Sequence, residues 1–198
     1  MMHMSLDHAI LGFLNYCPLS GYDLKKVFDI SIRHFWAADQ SQIYRTLTRL
    51  TEREWTSVDV VEQENRPDRK VYSITPAGHA ELLRWLNSPM PMESPHSAPL
   101  VKVFFSGLQD DDYNLEYFRA ARQMVHNFLQ VYASIPADLD NRVAKEVPGI
   151  QGVSPRDRFY WLLTLESGIE NMRSTLRWMD SVMERLENHD YTNRLNVE

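Results

Sequence analysis

Between Thr56 and Thr75 the apolar pattern of this chain changes period, and that change limits its possible folds more than any other feature. Thr56 to Val61 is a β-branched run, Asn65-Arg66-Pro67-Asp68-Arg69 is a polar tip, and Val71, Ser73 and Thr75 then alternate with Tyr72 and Ile74. Such a pattern predicts a hairpin. Helical spacing flanks it on both sides. Upstream, Leu6, Ala9, Ile10, Phe13 and Leu14 follow a Ser5 cap, and Pro18 and Ser20-Gly21 break the run. Leu24, Val27 and Phe28 mark a short second helix, and Ser41 caps a third that runs to about Arg53. Downstream, Thr75-Pro76 combines a cap with proline at the first helical position, and Leu82, Leu83 and Leu86 follow. Helix, helix, helix, hairpin, helix is the order of a winged helix-turn-helix.

The third helix sorts its own faces. With Ile43 at zero on a wheel of about 100° per residue, Leu47 and Leu50 lie within about 40° of it and form a core stripe. Arg45, Thr48, Arg49, Glu52 and Arg53 fall on the far side, with the three arginines stacked at i, i+4 and i+8. A helix fits the major groove, and arginine forks suit phosphates and guanine edges. Ser41, Gln42 and Tyr44 occupy the N-terminal end, which meets bases and phosphates in such domains. Arg66, Arg69 and Lys70 would project from the wing beside the same groove. Expected DNA contacts are therefore Ser41, Gln42, Tyr44, Arg45, Thr48, Arg49, Arg53, Arg66, Arg69 and Lys70. Two other readings stay open: a solvated face on which Arg49 and Arg53 pair with nearby glutamates, and a winged-helix module that docks a protein without specific DNA binding.

Four prolines in the twelve residues from Ser88 to Pro99 rule out helix interior or central strand there. The expected organisation is a DNA-binding domain at 1–88, a linker at 89–99 and an all-α domain at 100–198, in a mainly α protein. Leu100 to Phe105 reads as a short apolar helix. Asp110-Asp111-Asp112 opens another through Leu115, Phe118, Ala121, Val125, Phe128, Leu129 and Tyr132. Ser154-Pro155 opens the longest, to about Leu186. Within it Leu162, Leu165, Ile169, Met172, Leu176, Met179, Met183 and Leu186 alternate at spacings of three and four, a coiled-coil-like seam. The seam is assigned to a homodimer, since about 100 residues offer little of their own chain to cover it. Packing on the 112–134 helix is the alternative. The stretch 136–152, with a short helix at 138–146, has no assigned role.

The net charge of −6 argues at first against a nucleic-acid partner. Residues 1–88 are nearly balanced, however, with 10 basic and 11 acidic side chains, so the excess acid lies in the second half. No run approaches the ~18 apolar residues of a membrane span, and the start lacks a signal peptide's basic and apolar regions, so a cytoplasmic protein without a membrane partner is expected. The lone Cys17, the absence of HxxxH or HExxH among seven histidines, and seven scattered glycines leave no expected catalytic, metal or cofactor site. Aromatic residues are plentiful, and Trp36, Tyr160 and Trp161 fall near the presumed junction of the halves; a pocket for a small aromatic effector is one reading, and core or dimer interface is the other.

Ser20-Gly21-Tyr22-Asp23-Leu24, Phe35-Trp36, Ser41-Gln42-Ile43-Tyr44-Arg45-Thr46-Leu47 with Leu50, and Arg69-Lys70-Val71-Tyr72-Ser73-Ile74-Thr75 with Gly78 and Leu82 resemble the PadR family of bacterial transcriptional regulators. The resemblance covers nearly all of residues 6–86. The second half resembles only the layout of the larger-tailed subfamily and of the related virulence activators. The resemblance implies a homodimer on a palindromic operator, usually repressing, with an aromatic or phenolic effector that releases the DNA. It places Tyr44 and Gln42 on backbone or bases and Lys70 at the wing anchor. In one respect this chain departs from the family, with Glu54 where a glycine usually ends the third helix. A left-handed cap there would cost about 1 kcal/mol, so either the helix ends differently or a small strain is tolerated.

Overall fold

The computed structural model describes residues 4–62, 68–89, 97–135, 139–147, 149–150 and 153–192. It divides into two compact units, residues 1–90 with 137–163, and residues 91–136 with 164–198.

In the first unit, α1 (Met4–Leu14) is followed by the two-residue strand β1 (Leu19–Ser20), α2 (Gly21–Ile30) and α3 (Gln40–Glu52). The hairpin β2 (Thr56–Val61) and β3 (Arg69–Ile74) and then α4 (Pro76–Leu86) complete the winged order. Strand β3 lies between β1 and β2, both antiparallel to it, with Leu19 opposite Tyr72 and Thr56 opposite Ile74. The core is the meeting of the three helical stripes: Ile10, Leu11 and Leu14 of α1, Leu24, Val27 and Phe28 of α2, and Ile43, Leu47 and Leu50 of α3, all buried.

Helix ends follow their side chains. Ser20 and Asp23 cap α2 reciprocally, each accepting the other's backbone N–H at 3.2 Å. The cap of α3 is Asp39 rather than Ser41. Its Oδ1 accepts the Gln42 N–H at 2.7 Å, and the Gln42 amide oxygen accepts the Asp39 N–H at 3.0 Å. Ser41 already lies in the first turn, its hydroxyl donating to the same carboxylate at 2.7 Å. An ionised carboxylate accepts more strongly than a hydroxyl, which explains the shift of two residues. Thr75 caps α4 as the sequence predicts, accepting the Gly78 N–H at 3.1 Å. At the other end of α3, Glu54 has φ 58°. Trp55 N–H reaches the Leu50 carbonyl at 2.9 Å and Glu54 N–H reaches Thr51 at 3.0 Å, the paired bonds of a Schellman ending. Of the two alternatives at Glu54, the left-handed cap is the one present.

A later segment joins this unit. Helix α7 (Leu139–Glu146) and the residues after it bury Leu139, Val143, Val147 and Ile150, with α7 packed against α2. The Lys26 ammonium lies 3.5 Å from Glu146. Sequence order alone gave this stretch no role.

In the second unit, α5 (Ala98–Phe105) runs into a 3-10 turn (Ser106–Leu108), followed by α6 (Asp111–Ser134). Helix α8 (Pro155–Glu187) begins in the first unit and contributes residues from Thr164 onward to the second. There α6 and α8 run antiparallel: Phe118 meets Trp178 with ring centroids 5.8 Å apart, Arg119 pairs with Glu187 at 2.9 Å, and Arg122 forks onto Asp180.

Candidate nucleic-acid interface and aromatic cavity

The outward face of α3 is narrower than the helical wheel suggests. Ile43, Thr46, Leu47 and Leu50 are buried. Ser41, Tyr44, Arg45, Thr48 and Glu52 are exposed. Arg45 lies along its own helix, Nε donating to the Ser41 carbonyl at 3.4 Å. Among the described residues neither Arg45 nor Lys70 of β3 has a carboxylate within ion-pair distance. Tyr44 is held edgewise by the start of α2, where a Cβ on Gly21 would stand 2.5 Å from the ring. A side chain at position 21 would therefore displace the exposed Tyr44 ring from its place beside the start of α2.

Arg49 and Arg53 depart from the expected row. Both turn toward α1 and converge on Asp7, whose side chain is only 3% exposed. Arg49 forks onto both carboxylate oxygens, with Nε 3.3 Å from Oδ2 and Nη2 on Oδ1, and it also reaches the Thr46 hydroxyl at 3.3 Å. Arg53 Nη1 lies 3.4 Å from Oδ2, and its guanidinium rests 5.0 Å over the Trp55 ring. Their partner is therefore a carboxylate of α1, not a neighbouring glutamate. On the wheel these two arginines flank the buried Thr46, the side facing α1. Gln42 is similarly committed, to the Asp39 cap. On the wing, Arg69 pairs with Asp23. Burial works to raise the Asp23 carboxyl, but the Ser20 hydroxyl and the Arg69 guanidinium donate to it and hold it below the usual carboxylate range. Arg66 lies outside the described residues.

The opposite side of α1 borders a cavity of about 570 Å³, wholly within the first unit. Its walls are rings, Phe13, Tyr16, Phe35, Trp36, Trp85 and Trp161. Tyr16 and Trp161 meet edge to face at 5.6 Å. Burial and the adjacent Asp157 carboxylate push the Tyr16 hydroxyl up from its ordinary value. Trp36 and Trp161 thus come together as the aromatic count suggested. Tyr160 lies outside the lining, exposed, with the Arg156 guanidinium 5.6 Å over its ring.

Along the presumed dimer seam, Leu165 and Met179 are buried within the single chain. Leu162, Ile169, Met172, Leu176, Met183 and Leu186 are half-buried. The large apolar side chains left most exposed in the second unit lie on α5 and the 3-10 turn, with Phe104 at 82% and Leu108 at 83%, together with Met124, Phe128 and Val131 of α6. The apolar run from Leu100 to Leu108 carried this signal in the sequence, but no heptad marked it.

A probable transcriptional regulator of Mycobacterium tuberculosis is 32% identical to this chain over 194 residues, covering 93% of the chain and 98% of the relative. The chain belongs to the PadR-like family of transcriptional regulators. The PadR-like family model matches residues 10–84, and the virulence activator alpha C-terminal model matches residues 97–187. The negative transcriptional regulator PadR of Bacillus subtilis is 27% identical over 185 residues, covering 92% of this chain and 97% of the relative. The crystal structure of Bacillus subtilis PadR in complex with operator DNA matches with TM-score 0.67 and 26% identity, covering 92% of this chain and 99% of that one. The same protein in complex with p-coumaric acid matches with TM-score 0.62 and 26% identity, covering 92% and 98%. The Vibrio cholerae virulence activator AphA shares the fold, with TM-score 0.68 and 24% identity over 93% of this chain and 99% of that one. As a PadR-like chain, this one carries the winged helix-turn-helix and the C-terminal helices of the larger-tailed members. Among the described residues no helix is long and apolar enough to cross a membrane.

Proposed function

We propose that two copies of this chain bind a two-fold operator and repress transcription in the cytoplasm, acting by binding rather than by catalysis. In this reading α3 of each protomer enters a major groove, with Ser41, Tyr44, Arg45 and Thr48 toward the DNA and Lys70 of the wing on the flanking phosphates. Arg49 and Arg53 brace α3 from behind through Asp7. Gln42 and Arg69 serve first in the caps of α3 and α2, with their exposed atoms left for the backbone. The homodimer rests on the apolar surface of α5 and α6, with the half-buried α8 positions beside it. A small aromatic molecule in the α1 cavity modulates operator affinity.

The observation that carries this reading is the outward face of α3, where among the described residues neither Arg45 nor Lys70 has a carboxylate partner, on a fold shared over 92% of the chain with Bacillus subtilis PadR in complex with operator DNA. Repression follows the negative regulator among the relatives, and the effector follows the p-coumaric acid complex. Fluorescence anisotropy tests the reading, using duplex DNA from upstream of the chain's own gene against scrambled duplex across a salt series. Specific binding is expected to exceed non-specific binding by ~10³-fold or more, with log affinity falling by ~0.9 per neutralised phosphate per log unit of salt. Failure to bind either duplex at low salt would overturn it.

A further inference from the structure

The cavity beside α1 has a one-sided charge. Its ionisable lining residues are His8, Tyr16 and Asp157, and no lysine or arginine lines it among the described residues. His8 is already committed. Its ring stacks on Trp85 at 4.6 Å, and its Nε2 lies 2.9 Å from Glu81. Hydrogen bonds from Arg84, and from His8, hold Glu81 as a carboxylate down to about 2. Arg84, outside the lining, forks onto the same carboxylate, so with a neutral His8 ring the cluster offers a ligand no net positive charge.

Asp157 differs. It sits in the first turn of α8, where its N–H donates to Ser154 Oγ at 3.0 Å and the Ser154 hydroxyl donates to its Oδ2 at 2.6 Å. The Tyr16 hydroxyl lies beside it, and its charge helps to push that hydroxyl up. One of the two Ser154 bonds ends on the carboxylate, and a carboxylate offers about four acceptor positions. Aromatic rings line the same cavity, and a ring face attracts cations through its negative quadrupole. Among the described lining residues an anion entering this space would meet Asp157 and no lysine or arginine, at a dielectric below that of bulk water.

We propose that the cavity takes a flat aromatic cation, a fused ring bearing a positively charged nitrogen, with the ring among the tryptophans and the charge toward Asp157. This rests on reading the cavity as an effector site and adds the charge class of its occupant, opposite to that of an aromatic carboxylate.

Full-length protein titrated with a matched series tests it, by tryptophan fluorescence and by calorimetry: 1-methylquinolinium as the cation, quinoline at pH 8 as the neutral ring, and 2-naphthoate as the anion. The cation is expected to bind at least about tenfold tighter than the naphthoate. Asp157→Asn, shown to be folded by circular dichroism, is expected to weaken the cation about tenfold and leave quinoline within about twofold. Gly12→Leu is the independent variant. Gly12 lines the cavity, and a Cβ there meets no atom within 4 Å, so the new side chain fills the space without distorting α1. It is expected to weaken the cation and the neutral ring together. Equal or tighter binding of naphthoate would overturn the proposal, as would an unchanged cation affinity in folded Asp157→Asn. Binding of none of the three probes, by protein that still binds its operator, would overturn it too. If the cation binds in the Asp157-dependent way but leaves operator affinity unchanged, the ligand class stands and the effector reading fails.

Discussion

Arg45 and Arg49 are one helical turn apart on the same helix, yet their loss should be felt in different measurements. Arg49→Ala removes two charged hydrogen bonds from Asp7 and leaves that buried carboxylate, among the described cations, with Arg53 alone, 3.4 Å away. Hydrogen bonds to charged groups contribute about 1.5–3 kcal/mol, and removing one partner of a buried pair costs more than replacing both. The Arg49 side chain is 27% exposed, which places the loss near the lower end, about 2 kcal/mol. For a chain of this size that is a fall of roughly 4–8 °C in melting temperature. Arg45→Ala touches no carboxylate and should stay within about 0.5 kcal/mol of the parent. Its effect appears in the salt series, where the slope of log affinity on log salt becomes shallower by about 0.9 for each phosphate that Arg45 neutralises. Thermal melts and anisotropy on both variants, with Asp7→Leu/Arg49→Met as the paired replacement, separate the two roles. The double variant should recover more than half of the Arg49→Ala loss. If Arg49→Ala melts like the parent while losing DNA as Arg45→Ala does, then Arg49 reaches the DNA and the bracing role is refuted.

Glu54→Gly relieves the left-handed cap at φ 58° and should raise stability by about 1 kcal/mol without weakening DNA binding, and a lower melting temperature would sink the idea of strain there. Glu81 is held at about 2, so its contribution is complete above the ordinary carboxylate range and is lost as pH falls from about 5 toward 2. The melting-temperature gap between the parent and Glu81→Gln should therefore close over that window, and a gap constant with pH contradicts the assignment. Phe104→Asp with Leu108→Asp places charge on the most exposed apolar surface of the second unit. Sedimentation should show monomers and operator affinity should fall with them, while a dimer that survives both changes uses another face.

The sequence made the local devices legible and left the long-range ones dark. The hairpin order, the Thr75-Pro76 start and the strain at Glu54 are set by residues within a few positions of one another. Asp39 outcompeted Ser41 because both are good caps, and periodicity cannot rank two caps in one turn. The Arg49–Asp7 pair joins residues 42 positions apart. A wheel shows that Arg49 is off the core stripe but not which neighbour lies on that flank. The cavity has the same origin. Its rings come from α1, the α2–α3 connection, α4 and the first turns of α8, so an aromatic count foretold the material without its arrangement.

Helix α7 carries a consequence for how the protein is made. The α3 and wing side chains proposed to meet DNA are all synthesised within the first 90 residues, but α2 is packed against α7, at residues 139–146. At about 5–20 residues per second, the ribosome needs on the order of 4–15 s after residue 90 to deliver the last of that unit, at residue 163. Through that interval the nascent reading head has one wall missing. A chain terminated within α6 would own the whole DNA-facing surface and still expose the side of α2 that α7 shelters. Such fragments are expected to be cleared by proteolysis rather than persist as half-functional competitors at the operator.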